Sequence, residues 1–229
     1  MFFIYGLLPK ITPLKERNCN PAIHSLFLRV IAHFGDCLMR SSQMAKTTGF
    51  KLHRTVVMVG MMGCGKTAIG RALADRLNVP FLDSDAEIEA AANAAITEIF
   101  TRDGEAFFRK REAEVIGRLL TGPAGILSTG GGAFMQSVNR AAIDELAVSV
   151  WLDAPLPLLW ERVRHKDTRP LLQTADPLAT LTEIFHDRSP IYAEAGIHVD
   201  VKSHTSIEQT TDQVIAALAA HPEILETLT

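Results

Sequence analysis

Gly60-Met61-Met62-Gly63-Cys64-Gly65-Lys66-Thr67 fits the phosphate-binding pattern GxxxxGK[ST]. Glycines let such a loop curl so that successive backbone N–H groups point at phosphate oxygens, and the helix that follows adds its positive end. On this reading Gly63, Cys64, Gly65, Lys66, Thr67 and Ala68 form the nucleotide cradle. Lys66 reaches the outer phosphates and the Thr67 hydroxyl is a ligand for Mg²⁺. The flanks agree. Thr55 to Val59 is an apolar strand running into the loop, and Lys66 to Leu77 is a helix leaving it, with Ile69, Leu73 and Leu77 stacked at four-residue spacing.

Working outward, short β-branched runs alternate with helix-length segments, the pattern of an α/β layer fold with a parallel sheet. Val79 to Leu82, Ile126 to Ser128, Val148 to Leu152 and His198 to Val201 read as further strands. Helices are expected over Ala86 to Ala95, Glu105 to Leu120, Leu178 to Ala195 and Ile207 to Ala220, with a polar loop from Arg164 to Pro177.

The remaining composition bounds the function. The chain has 229 residues, of which 47% are hydrophobic and 21% charged, with 15 Gly and 11 Pro. This is ordinary globular usage, in a chain long enough for a full enzyme core. Cys19, Cys37 and Cys64 are odd in number and lack metal-ligand spacing, so a reducing cytoplasm is expected, with neither a disulfide framework nor a zinc site. His198 and His204 have no recognised metal spacing either, and Trp151 and Trp160 are expected to pack.

Net charge is −3 but uneven. Residues 1–54 carry eight Lys/Arg against Glu16 and Asp36, and residues 55–229 carry fifteen against twenty-four acids. The acidic body argues against nucleic acid as a partner. No apolar run reaches the ~18 residues of a membrane span. The basic head, residues 1–50, is set apart as an N-terminal extension, open to reading as an amphipathic helix over Ala22 to Leu38, an organellar presequence, or sequence upstream of a start at Met44. Residues 51–229 are the expected catalytic domain.

Other segments narrow the class. No NKxD guanine-reading motif and no LSGGQ-type signature occurs, which leaves a small-molecule or nucleotide kinase ahead of a GTPase or transporter ATPase. Asp83-Ser84-Asp85 closes the second strand, where carboxylates can hold Mg²⁺ or accept from a substrate hydroxyl. The competing reading is structural, with Ser84 and Glu87 as a capping box. Gly130-Gly131-Gly132 follows the strand Ile126 to Ser128 and suggests close backbone approach by a ligand, or simply a mobile turn.

Taken together, these motifs with Phe108-Arg109 and Glu112, Arg169-Pro170-Leu171-Leu172 and Arg188-Ser189-Pro190-Ile191-Tyr192 resemble the shikimate kinase family over about residues 54–220. The resemblance implies a nucleoside-monophosphate-kinase-like fold, a five-stranded parallel sheet flanked by helices. It implies transfer of the ATP γ-phosphate to the 3-hydroxyl of shikimate, on the route to chorismate and the aromatic amino acids, by a monomeric enzyme. Carried over by position, Asp83 joins Thr67 at magnesium, and Asp85 contacts shikimate hydroxyls and is the base. Arg109, Arg188 and Gly131 hold the substrate, and Arg169 opens a lid motif that closes over the phosphates. Two guanidiniums suit a ligand with one carboxylate, and Glu112, three residues after Arg109, is placed to orient it. Arg162 and Arg164 compete for the adenine. A related sugar-acid kinase such as gluconate kinase is the alternative enzyme, and a nucleotide-binding module without chemistry the alternative class.

Overall fold

The computed structural model describes residues 49–165 and 170–228, apart from the side chain of Pro170. The expectations for residues 1–48, including the helix over Ala22 to Leu38 and the start at Met44, lie outside the described residues, as does Arg169.

Five strands form a parallel sheet in the order β3-β4-β2-β5-β6: β2 (Thr55–Val59), β3 (Phe81–Asp83), β4 (Ile126–Ser128), β5 (Ala147–Asp153) and β6 (Ile197–Asp200). β2 is central, with Val57 opposite Leu127 on one side and Ser149 on the other. Because helices cover both faces of such a sheet, its middle strands are apolar throughout, and Val56, Val57 and Met58 are fully buried. The helices are α1 (Lys66–Leu77), α2 (Ser84–Ala92), α3 (Ile96–Leu120), α4 (Ser137–Leu146), α5 (Leu156–Val163), α6 (Pro177–Tyr192) and α7 (Ile207–Ala219). α1 buries Ile69, Leu73 and Leu77, the stripe expected from its spacing, and packs on α7; α3 packs on α4.

Several elements differ from expectation. α3 begins at Ile96 rather than Glu105, because two helical segments meet at a kink where Gly104 has φ 80° and ψ 170°. α2 runs Ser84–Ala92, not Ala86 to Ala95, ended by Asn93 in the left-handed conformation. α4 and α5 occupy segments to which no helix was assigned, and Pro170–Leu172 forms a 3-10 turn within the expected loop. β1 (Phe50–Leu52) pairs antiparallel with β7 (Leu225–Thr227), a ribbon that joins the two ends of the described chain.

Candidate functional site

The site grows from the carboxyl edge of β2. Gly60, Gly63 and Gly65 all have positive φ, and Gly63 shows why a side chain is excluded: besides φ 84°, an added Cβ would lie 2.7 Å from Val163 Cγ1. Gly65 is the N-cap of α1 and supplies no side-chain cap, so the helix start offers its amides to the loop concavity. The Lys66 ammonium donates to the carbonyls of Gly60 at 2.8 Å and Met61 at 3.0 Å. The Thr67 and Ser128 hydroxyls share a hydrogen bond at 3.4 Å, which links the loop to the end of β4. Cys64 is fully buried beneath the loop. From α5, Arg162 donates to the carbonyls of Gly63 and Cys64 at 3.1 and 3.3 Å.

At the end of β3 the capping expectation is corrected. The cap of α2 is Asp83, whose carboxylate accepts from the backbone N–H of Asp85 at 3.1 Å and of Ala86 at 3.5 Å. Ser84 is instead buried, and its hydroxyl accepts from the Gly130 N–H at 3.4 Å, tying α2 to the glycine triplet. A Ser84–Glu87 box fails because the helix starts one residue earlier than that pairing requires, with Ser84 already inside it.

The triplet Gly130-Gly131-Gly132 is where three charged side chains, those of Asp85, Arg109 and Arg188, converge. An added Cβ at Gly130 would lie 2.7 Å from Asp85 Oδ1, and one at Gly132 would lie 2.6–2.9 Å from the Arg109 guanidinium. At Gly131 it would meet Arg188 Nη1 at 3.6 Å and the Gly60 carbonyl oxygen at 3.8 Å. The close approach expected of a ligand is thus made by the protein's own side chains. It also puts both arginines on the same rim as the phosphate-binding loop.

Arg109 is held by carboxylates on its own helix, Glu112 at 2.9 Å and Glu105 at 3.1 Å, and lies over the Phe108 ring. Burial works against its charge, but the hydrogen bond and attraction from Glu112, with Glu105 adding to them, hold its pKa above the usual arginine value. Glu112 is 1% exposed. Burial pushes its carboxyl above the ordinary glutamate range, with a smaller upward push from the Asp85 charge, and the Arg109 guanidinium pulls the other way.

A cavity of about 490 Å³ joins these parts. Gly63, Gly65, Lys66, Thr67 and Ala68 line one wall, and Asp83, Asp85 and Gly131 line another. Arg109 and Arg188 flank it through the triplet, while Cys64 stays behind the loop. Of the two arginines in competition, Arg162 reaches the cavity. Thr205 and Thr210, near the start of α7, also line it and were not foreseen. The Thr67 hydroxyl and the Asp83 carboxylate are hard oxygen donors facing one space, a set that fits Mg²⁺.

Comparison with known proteins follows this geometry. The shikimate kinase family model matches residues 62–219. A shikimate kinase of Ruegeria pomeroyi is 66% identical over 175 residues, 76% of this chain and 90% of that one. The chain belongs to the shikimate kinase family. Another shikimate kinase, of Cereibacter sphaeroides, is 58% identical over 77% of this chain and 88% of its own. Among solved structures, a shikimate kinase from Acinetobacter baumannii in complex with shikimate is 36% identical, with a TM-score of 0.67 over 73% of this chain and 93% of that one. A gluconokinase from Sinorhizobium meliloti, 19% identical with a TM-score of 0.52 over 74% and 94%, shares the fold alone. The shikimate kinase match takes in the loop from Met62 onward, the triplet and both arginines, and leaves β1, β2 and β7 outside it.

Proposed function

We propose that this chain moves the γ-phosphate of ATP to the 3-hydroxyl of shikimate, giving 3-phosphoshikimate and ADP. The observation that carries this reading is the glycine triplet, where a carboxylate and two guanidiniums meet within reach of a phosphate-binding loop. That is the charge pattern for an alcohol bearing one carboxylate, and membership of the family supplies its identity.

Arg109 and Arg188 grip the shikimate carboxylate, with Glu112 orienting Arg109. Asp85 accepts the hydrogen bond of the attacking hydroxyl and takes its proton as the new O–P bond forms. The loop amides and Lys66 hold the phosphates in line, and the Lys66 ammonium turns from loop carbonyls to phosphate oxygens. Thr67 and Asp83 hold Mg²⁺, which when bound neutralises phosphate charge. Arg169 is assigned to the lid by the family resemblance. Positioned charge does most of the catalysis, since phosphoryl transfer asks for little covalent help.

A coupled ADP-release assay with shikimate and gluconate tests the reading. Turnover with shikimate and none with gluconate is expected. The reverse makes the chain a sugar-acid kinase, and nucleotide binding without turnover on either makes it a non-catalytic module.

A further inference from the structure

One buried polar side chain beside the triplet has no part in the roles above. Tyr192, 1% exposed, ends α6 one turn after Arg188, so the two share a helix face. Its ring lies nearly parallel to those of Phe134 and Trp151, with centroids 6.4 Å from each. Its hydroxyl donates to the Gly131 carbonyl, and the Arg188 guanidinium lies beside the same glycine.

The direction of this relay follows from the groups themselves. Arginine has only donors, and a phenol has one proton and lone pairs to spare. With its proton committed to the Gly131 carbonyl, the Tyr192 oxygen is left as an acceptor for the neighbouring Arg188 guanidinium. Burial pushes the phenol pKa up, so the donating form persists at any working pH. The Arg188 guanidinium and the Tyr192 hydroxyl both lie against Gly131, at 3.6 and 3.7 Å from where its Cβ would be. Two consequences follow. A long, flexible cation is held in place before any anion arrives, which lowers the ordering cost of binding. The Gly131–Gly132 peptide is planar, so pinning its oxygen also fixes the direction of its N–H.

We propose that Tyr192 is a positioning residue for the acceptor site: it holds the Arg188 guanidinium and the Gly131 carbonyl in the arrangement that receives the substrate carboxylate. This rests on Arg188 being the carboxylate anchor. Tyr192→Phe keeps the ring and removes only the hydroxyl. The KM for shikimate should rise about tenfold, with kcat and the KM for ATP within about twofold of the parent. In an Arg188→Ala background the same change should add clearly less, because only the hold on the Gly131 carbonyl remains to be lost. An unchanged shikimate KM in Tyr192→Phe, with a raised one in Arg188→Ala, overturns the proposal alone, even if the unfolding midpoint falls. An unchanged shikimate KM in Arg188→Ala overturns the anchor reading and the proposal with it. An equal rise from Tyr192→Phe with and without Arg188 also overturns the relay.

Discussion

Gly132 is a residue where a single methyl group tests the site. Its backbone, at φ −90°, suits any amino acid, yet a Cβ there would enter the space of the Arg109 guanidinium. Gly132→Ala should therefore fold normally and raise the KM for shikimate about tenfold or more through displacement of Arg109, read from steady-state kinetics beside a thermal melt. A normal melt with an unchanged KM for shikimate would contradict this. Lys66→Ala and Asp85→Asn should each lower kcat by roughly 10²- to 10³-fold, since each removes one positioned polar group. The eight residues from Gly60 to Thr67 were legible because their chemistry is local, whereas the use of the triplet was not. Asp85 and Arg109 reach Gly130 and Gly132 from other elements, and no local pattern encodes that meeting.

At the scale of elements, α3 carries both the arginine proposed to hold the substrate and the buried carboxyl paired with it. Burial raises the Glu112 pKa, so the folded protein binds that proton more tightly than the unfolded chain. The contribution of Glu112 to stability is therefore greatest at low pH, falls as pH rises from the ordinary glutamate range through the raised value, and is level above it. The stability difference between the parent and Glu112→Gln should follow that curve in denaturant titrations over a pH series, and a flat difference would refute it. The span Glu105 to Leu120 was readable, but its continuation back to Ile96 was not. Gly104, in a conformation few other residues adopt, divides the apolar pattern, and Ile99 packs with Ile88 and Phe108 in a small cluster of their own. β2 and β4 were recovered to the residue because both are short runs buried along their whole length, bounded by turn residues.

At the scale of the molecule, Leu225 of the β1–β7 ribbon and the adjoining Ile224 are buried, and neither lines the cavity. Leu225→Ala should cost about 2–5 kcal/mol of stability, seen in the denaturation midpoint, and leave both KM values unchanged. These strands escaped the sequence reading for a plain reason: each has three residues, and what makes Phe50–Leu52 a strand is a partner at the opposite end of the chain. Among the described residues no helix is long and apolar enough to cross a membrane.

The strand order has a further consequence for how substitutions reach the site. β2 and its loop stand between two flanks: β3 and β4 lead to Asp85 and the triplet, while β5 and β6 lead to Arg162 and the threonines of α7. A change confined to one flank meets the loop from one side only and leaves the residues that line the other side in place.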